Sequence, residues 1–448
     1  MPANSQRGDH SVHRLWARGT VLVSASAVGA LVTVIVSCAT NAATDPPAND
    51  ASSAVPDTDG GPANSDPPDA GCDASHPGCT TEVVPCETVS WCLSPSPADP
   101  HLALTAVWGS SATDVWAVGG GGTIVHHDGA AWVVTPSGQP QTFYAVWGSG
   151  PRDVWIASTA ELLLHTSGFA EGTASWENAP FSTHSTAPAN PASRQVFAIW
   201  GTSLNNVRIA GPSRVRTVET PTFQYTGPSN HAAKSRSADG GVLWRVLPGD
   251  ERTIRAIWGG AADDVWMVGD RGMTLHGTPY LGELPNPALR VIPGACDRGC
   301  FDGCTACAIA SDELAWSTVD SRTIQDLEAV WGSSADDVWA VGARGTIVRM
   351  KKGQDLWLAV ESPTTEHLRA VWGSGPDDVW IAGDEGTILH YDGQNVSPAS
   401  VQLPLGPRPA LRGMWGSGAN DIWVVGDRGT ILHYTGPKPG TTNEAGGS

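Results

Sequence analysis

The stretch Ala-Val-Trp-Gly-Ser-Ser-Ala-Asp-Asp-Val-Trp-Ala-Val-Gly at residues 329–342, followed by Gly-Thr-Ile-Val at 345–348, decides the fold. It belongs to one of seven related units, each of which opens with a Trp-Gly pair. The opening tryptophans are Trp108, Trp147, Trp200, Trp258, Trp331, Trp372 and Trp415. Six residues after them stand Asp114, Asp153, Asn206, Asp264, Asp337, Asp378 and Asp421, and eight residues after them stand Trp116, Trp155, Arg208, Trp266, Trp339, Trp380 and Trp423. Such regular self-similarity is typical of a repeat architecture.

Each unit is interpreted as four short strands separated by turn-forming residues. In the first unit we expect strands at Thr105–Gly109, Asp114–Gly119, Thr123–His127 and Ala131–Thr135. The first two carry apolar residues at consecutive positions, which indicates that both of their faces are buried. A four-stranded blade packed between two neighbours meets this requirement. The sequence therefore predicts an all-β fold, a seven-bladed β-propeller with four-stranded blades and the seven units within residues 101–436.

The last unit lacks a fourth strand, because after Thr430–Tyr434 the chain enters Gly-Pro-Lys-Pro-Gly and then a polar tail. We expect the tail, residues 437–448, to be disordered. Trp91 lies 17 residues before Trp108, close to the spacing of a fourth-strand tryptophan. We therefore predict that an N-terminal strand in the Cys-rich segment 72–100 completes the last blade and removes its free edge.

The N-terminus is typical of an export signal, with Arg7, Arg14 and Arg18 before the apolar run Val21–Val36. Ile35-Val36-Ser37-Cys38 resembles a bacterial lipobox, which predicts a lipoprotein signal peptide over residues 1–37 and lipidation of Cys38. An ordinary signal peptide cleaved nearby is the alternative. Export with a lipid as the sole membrane anchor follows from the first interpretation.

Residues 38–71 begin with the lipidated cysteine and continue with small and polar residues that cannot bury enough apolar surface to order themselves. We expect this segment to be a disordered tether. Ala39, rather than an aspartate, follows Cys38, and this resembles outer-membrane sorting.

Eight further cysteines form two groups of four. They are Cys72, Cys79, Cys86 and Cys92, and Cys296, Cys300, Cys304 and Cys307. In an exported protein these even groups predict two disulfides each, with three possible connectivities per group left open. The alternative is a metal site at Cys304-Thr-Ala-Cys307, whose spacing is seen in zinc and iron–sulfur sites, but an oxidising compartment disfavours it.

The charge balance disfavours a nucleic-acid partner. The 448 residues include 26 Lys and Arg against 45 Asp and Glu, a formal net charge of −19. An acidic chain repels a phosphate backbone, so binding to nucleic acid is not expected. We expect a monomer.

The repeated strings resemble the Trp-rich propeller repeats of bacterial surface lipoproteins, especially those of myxobacterial type, and also tectonin repeats and, more weakly, the BNR or Asp-box repeats of sialidase-like proteins. The resemblance covers about residues 85–436. It implies the propeller fold, and through tectonin relatives it implies binding of sugars or lipopolysaccharide. The Asp-box string S-x-D-x-G-x-T-W is absent.

Most repeated residues are interpreted as structural. The fixed positions of the tryptophans indicate packing between blades. The aspartates six residues on are expected to cap a turn, with a calcium site at pairs such as Asp263-Asp264, Asp336-Asp337 and Asp377-Asp378 as the alternative. Eighteen residues after the opening tryptophan stand His126, His165, Val218, His276, Arg349, His390 and His433. We interpret the histidines as hydrogen-bonded structural residues, because separate blades hold them too far apart to share a metal ion.

One position varies within the uniform first strand, three residues before the opening tryptophan: Thr105, Tyr144, Phe197, Arg255, Glu328, Arg369 and Arg412. We expect these residues around one mouth of the central channel, on the same face as the turns that carry Arg271, Arg344 and Arg428. The candidate ligand-binding residues are Tyr144, Arg255, Glu328, Arg369 and Arg412. Clustered arginines can hold a carboxylate or phosphate in bidentate fashion. The alternative is a solvated mouth with local ion pairs.

Three insertions, at about residues 166–175, 218–243 and 277–315, follow the third-strand positions of consecutive units. We expect them to emerge together on the face opposite the mouth and to offer a second binding surface. Neutral loop growth at tolerated sites is the alternative.

The preferred function is a surface-anchored, non-catalytic recognition or adhesion module that binds a glycan, an envelope component or a surface protein. No catalytic residue, resident metal or other cofactor is predicted, with calcium as a side possibility. The alternatives are a sialidase-like or other glycan-active enzyme at the channel mouth, and a structural or assembly scaffold. The enzyme would require carboxylates close to Arg255, Arg369 and Arg412.

Overall fold

The computed structural model describes residues 79–80, 88–159, 162–179, 195–203, 206–220, 223–236, 242–247, 252–279, 314–401, 403–404 and 406–438. The predicted signal peptide, Cys38, the tether, the second cysteine group and the C-terminal tail from residue 439 onward lie outside these residues. No helix within the described residues is long and apolar enough to cross a bilayer.

The described strands form seven four-stranded sheets, and neighbouring strands within each sheet are antiparallel. The first strands, which contact one another around a closed ring, are Leu104–Ser111, Phe143–Gly150, Ala198–Ser203, Ile254–Ala261, Leu327–Ser334, Leu368–Gly375 and Leu411–Gly418. The second strands are Asp114–Gly119, Asp153–Ser158, Asn206–Thr220, Asp264–Gly269, Asp337–Gly342, Asp378–Gly383 and Asp421–Gly426. The third strands are Ile124–His127, Leu163–Thr166, Phe223–Arg236, Met273–Pro279, Ile347–Lys351, Ile388–Tyr391 and Ile431–Tyr434. The outer strands are Trp132–Val134, Glu177–Asn178, Val242–Leu247, Leu314–Thr318, Leu358–Ala359, Val396–Pro398 and Trp91–Leu93. The predicted all-β propeller with four-stranded blades is confirmed.

The last sheet is completed by the N-terminal strand, as the sequence predicts. Trp91–Leu93 pairs antiparallel with Ile431–Tyr434, with Trp91 opposite Tyr434. Trp91 is 1% exposed and meets Trp380 of the neighbouring sheet edge to face, at a ring separation of 5.4 Å. The strand therefore joins the two ends of the propeller through a buried aromatic contact.

The cysteine predictions are only partly covered by the described residues. Cys92 lies in the closing strand and is disulfide-bonded. The backbone of Cys79–Thr80 pairs in parallel with Leu403–Pro404 beside the sixth sheet. The other predicted cysteine side chains are not among those described, so the connectivity stays a prediction.

The Trp-Gly pairs have a packing cause. The opening tryptophan of one sheet lies on the glycine of the next, and a Cβ atom at Gly148 would lie 2.5 Å from Cη2 of Trp108. The contacts run Trp415 on Gly109, Trp108 on Gly148, Trp147 on Gly201, Trp200 on Gly259, Trp258 on Gly332, Trp331 on Gly373 and Trp372 on Gly416. Only glycine leaves room for the indole. This confirms that the opening tryptophans pack between blades.

The third sheet departs from the expected strand positions. Asn206–Thr220 and Phe223–Arg236 form a long hairpin in which Thr220 faces Phe223 and Arg208 faces Ala233. The third-strand position is therefore Ala233 and not Val218, and the placement of the 218–243 insertion after the third strand is wrong. Most of it extends the hairpin that joins strands two and three, because its β-branched residues favour continued strand pairing.

The other two insertions differ in how much of them is described. The one at 166–175 contains a short bridge between Ala170 and Thr173, and Phe169 within it stacks on His126 of the first sheet at a ring separation of 4.0 Å. It therefore packs against a neighbouring blade. Residues 280–313 of the third insertion lie outside the described residues.

Candidate functional site

The variable position of the first strand is a β-bulge. In the first sheet Leu104 faces Gly119 and Ala106 faces Val118, so Thr105 between them has no opposite residue. The same irregularity leaves five further residues without an opposite residue: Tyr144, Arg255, Glu328, Arg369 and Arg412. A bulge turns the extra side chain away from the regular sheet. All of these side chains are half-buried at the edge where first strands begin and second strands end, which we call the mouth face.

Each mouth arginine is paired with an aspartate of its own sheet. Arg255 Nε donates to Asp270 Oδ1 at 2.7 Å, and Arg412 Nε donates to Asp427 Oδ1 at 2.6 Å. In the sixth sheet Arg369 makes a bidentate contact with Asp384, at 2.5 and 2.9 Å. These arginines are therefore engaged in local ion pairs.

These three aspartates were not predicted from the sequence, although a signal for them was present. Each stands 15 residues after its arginine, at the start of the turn between strands two and three. Where the bulge residue is Glu328, the matching turn residue is Ala343, and where it is Thr105, the turn residue is Gly120. Arginine and aspartate therefore occur together in the repeats, as expected for partners.

Glu328 connects the charges of neighbouring sheets. It accepts hydrogen bonds from Arg255 Nη1 at 3.1 Å and from His367 Nε2 at 3.0 Å, and Asp326 lies 3.6 Å from Arg255. Burial alone would lower the pKa of Arg255, but the neighbouring carboxylates outweigh it and raise this pKa above its usual value. Burial likewise opposes ionisation of Asp270, yet the hydrogen bonds from Arg255 and Thr253 hold its pKa below the usual range. Both groups of this pair are therefore stabilised in their charged forms.

Aromatic side chains occupy another arc of the mouth face. Tyr144 and Phe197 meet edge to face, with ring centroids 5.3 Å apart and planes at 85°. Both are half-buried, and the hydroxyl of neighbouring Thr105 donates to the carbonyl of Phe143 at 2.6 Å. The mouth face thus combines an aromatic arc with an arc of paired charges.

The repeated histidines and aspartates form hydrogen-bond networks inside the blades. Asp114 accepts bonds from Ser110 at 2.5 Å, Trp116 at 3.1 Å and His126 at 2.6 Å. The histidine bond recurs with His165, His276, His390 and His433. The interpretation of these histidines as hydrogen-bonded structural residues is confirmed.

The fifth sheet substitutes an arginine for the histidine. Arg349 Nε and Nη2 bind the two carboxylate oxygens of Asp337 at 2.6 and 2.9 Å, and the guanidinium lies 4.4 Å from the ring centre of Trp339. Nη1 donates to the hydroxyl of Tyr391 in the sixth sheet at 3.1 Å. This side chain therefore also links two blades.

At least one aspartate of each pair considered for calcium is engaged in other contacts. Asp337 is held by Arg349, and Asp336 accepts a bond from Lys352 Nζ at 2.8 Å. Asp264 and Asp378 accept bonds from their histidines. Among the described residues, no three His, Cys, Asp or Glu side chains are grouped as metal ligands.

A cleft of about 430 Å³ lies beside the sixth sheet, and no bulge residue lines it. Its walls include Glu385, Leu389, Pro398, Leu403 and Arg408. This cleft was not predicted from the sequence, because its walls come from four separate segments of the chain.

Comparisons with known proteins show the fold and leave the function open. No protein-family model matches the chain, and no curated protein matches it. A structure of YCF48 bound to D1 peptide is 15% identical with a TM-score of 0.53, covering 79% of this chain and 99% of that one. YCF48 from Cyanidioschyzon merolae is 14% identical with a TM-score of 0.52, covering 77% of this chain and 99% of its own. Virginiamycin B lyase from Staphylococcus aureus is 13% identical with a TM-score of 0.53, covering 78% of this chain and 99% of its own. Since proteins with a binding and an enzymatic description share the fold, the function has to be argued from the site.

Proposed function

We propose that the protein is a non-catalytic recognition module whose mouth face binds a polypeptide segment of a partner protein. The observation that carries this proposal is the ring of bulge residues, in which one backbone feature presents threonine, tyrosine, glutamate or arginine side chains from six sheets. Such variety on a uniform rigid scaffold is the usual arrangement of a binding surface. Tyrosine and arginine, both present here, are also the residues most enriched in protein-binding hot spots.

The charge distribution favours a polypeptide over an acidic glycan at the centre of the mouth. Arg255, Arg369 and Arg412 face the carboxylates of five acidic residues. These residues are Asp270, Asp326, Glu328, Asp384 and Asp427. An anionic sugar would have to displace existing ion pairs, whereas the aromatic arc of Tyr144 and Phe197 offers apolar contact to a side chain. YCF48, one of the similar structures, was solved with a peptide bound, which is the same class of ligand.

The enzyme alternative is disfavoured by the same contacts. The structure does bring carboxylates next to the mouth arginines, as a glycan-active enzyme would require. However, a general acid needs a raised pKa, and the pKa of Asp270 is held down by Arg255 despite burial. Each neighbouring aspartate is also bound to its arginine instead of being available to a substrate.

The experiment is a screen of the full chain against a displayed library of random peptides, with a glycan array in parallel. The Tyr144→Ala/Phe197→Ala and Arg369→Ala/Arg412→Ala variants are compared with Leu358→Ala, an exposed outer-strand control. We expect selected peptides to lose about tenfold or more of their affinity with either mouth variant and little with the control. Absence of binding peptides, or equal binding to all variants, would reject the proposal. A glycan whose binding the arginine variant abolishes would transfer the function to glycan recognition.

The blade number and the cellular setting are proposed as well. We propose a seven-bladed ring, supported by the seven sheets and by the contact of Trp415 with Gly109, which returns from the last unit to the first.

We also propose that Cys38 carries a lipid that holds the module at the cell envelope, facing its partner. Metabolic labelling with an alkyne fatty acid should tag the full chain and not a Cys38→Ala variant; equal labelling would reject this anchor.

A further inference from the structure

The turns between strands two and three carry strained residues at their tips. In the first sheet the tip is Gly121, with a φ of 62°. Non-glycine residues occupy the same left-handed conformation in four other sheets: Arg271 (52°), Arg344 (55°), Glu385 (54°) and Arg428 (58°). Glycine would adopt this conformation without steric cost, so an arginine in three of these tips is energetically unfavourable for the fold alone. Strain that a glycine would remove points to a role for the side chain.

A fourth strained arginine lies beside the tip of the fourth sheet, which is Arg271. Arg322 has a φ of 56° and follows Ser321, whose hydroxyl donates to the carbonyl of Gly272 at 2.6 Å. The turn that carries Arg322 is thereby tied to the turn that carries Arg271. We call Arg271, Arg322, Arg344 and Arg428 the arginine crown.

The crown side chains differ from the inner mouth arginines, because among the described residues none of them is paired with a carboxylate. The backbone N–H groups of Arg271 and Arg322 do donate to Asp326 and Asp320, each at 2.8 Å. All four crown residues are exposed. Within the described part of the chain, no carboxylate forms an ion pair with any crown side chain, and Arg428 bonds only to the carbonyl of Pro407. Asp270 and Asp427, adjacent in sequence to two crown residues, are already bound by Arg255 and Arg412. The arginine side chains of the mouth face that have no ion-pair partner among the described residues therefore lie on its rim, in a chain whose net charge is −19.

The long hairpin of the third sheet favours a polypeptide as the occupant. It projects from the same mouth face, next to the fourth sheet, because it joins strands two and three. Among the described residues, the segments 214–220 and 223–229 pair only with each other. Their outer backbone N–H and C=O groups are the kind of edge to which an extended chain adds as a further strand.

We propose that the arginine crown is the docking site for an acidic, extended polypeptide segment. This deepens the proposed function, on which it rests, by naming the chemistry of the partner. Carboxylates of the partner pair with the guanidinium groups, which suit bidentate contact. The anion site expected at Arg255, Arg369 and Arg412 is thus moved outward, to the arginines whose charge is not already compensated.

The test measures binding of a fluorescent poly-glutamate peptide to the full chain by anisotropy at two salt concentrations. The crown variant is Arg271→Gly/Arg344→Gly/Arg428→Gly. The control Arg152→Gln/Lys351→Gln/Lys352→Gln also removes three positive charges, but from the opposite face. We expect the crown variant to lose about tenfold or more in affinity and the control less than about twofold. The unfolding midpoint of the crown variant should stay close to that of the wild type, since relief of strain offsets the added freedom of the unfolded chain.

A gain of binding provides a second measurement. Glu385→Arg adds a fourth arginine tip, between those of the fifth and seventh sheets, and should strengthen binding of poly-glutamate. Equal loss with the crown and control variants, or no binding to the wild type, would overturn the proposal. Crown-dependent binding of polygalacturonate without binding of poly-glutamate would overturn it in favour of an acidic glycan. Peptides selected in the library screen that bind independently of the crown would leave the proposed function standing and remove the crown from it.

Discussion

At the scale of single residues, the glycine of each Trp-Gly pair is a packing requirement. A Cβ atom at Gly332 would lie 2.5 Å from the indole of Trp258. Gly332→Ala should therefore lower the free energy of unfolding by about 1–3 kcal/mol through overpacking. The measurement is chemical denaturation, with Gly375→Ala as control because nothing lies within 4 Å of its added methyl group. Equal stability of the two variants would contradict this packing.

The aspartates inside the blades should make stability sensitive to acid. Burial raises the pKa of Asp378, but hydrogen bonds from His390, Ser374 and Trp380 outweigh burial and bring it below the ordinary value of 3.8. Just below that pH the folded chain therefore holds fewer protons than the unfolded chain. The contribution of Asp378 to the free energy of unfolding is complete above about pH 4, and it is lost as the pH falls through the pKa of Asp378 in the folded chain. Asp378→Asn should flatten this part of the stability profile, measured by denaturation between pH 6 and pH 3. An unchanged slope would show that the pKa of Asp378 is not lowered by folding.

At the scale of the strand, Arg349 joins two neighbouring blades. Its side chain is 9% exposed and pairs with Asp337, which is 11% exposed, while also binding Tyr391 of the next sheet. Arg349→Ala leaves the buried carboxylate without its partner and should cost about 3–5 kcal/mol of stability. Arg349→His, which restores the residue found in five other units, should cost less. If the two variants unfold at the same denaturant concentration, the carboxylate pairing is not what stabilises the sheet.

At the scale of the whole molecule, the closing strand should control global stability. Trp91 is 1% exposed between Trp380 and Tyr434, so Trp91→Ala should cost about 3–5 kcal/mol. Leu93 lies in the same strand but is 39% exposed, and Leu93→Ala should cost much less. Denaturation followed by tryptophan fluorescence measures both. A small effect of Trp91→Ala would mean that the last blade is stable without its N-terminal strand.

The sequence was sufficient for the repeated parts of this architecture. The strand Asp114–Gly119 and the closing strand around Trp91 were located closely, because Trp spacing and turn residues recur in phase. The third strand of the third sheet was predicted at the wrong residues. Its second strand is longer than in the other sheets and still includes Val218, where the constant spacing predicts the third strand. Constant spacing cannot reveal a change in strand length.

The charge state of the mouth was harder to predict. The sequence placed Arg255, Arg369 and Arg412 on one face, but their compensation depends on the pairing of the start of strand one with the end of strand two. That contact brings together residues 15 positions apart, a spacing that does not coincide with the repeated Trp and His positions. Strain at Arg271 and Arg344 likewise follows from backbone angles that composition does not disclose.

The most direct test of recognition at the mouth face is hydrogen–deuterium exchange of the full chain with and without a selected peptide. We expect protection at the strand starts around Tyr144 and Arg255, and at the turn tips around Arg271 and Arg344. Protection confined to the opposite turns, around Arg152 and Lys352, would contradict this expectation.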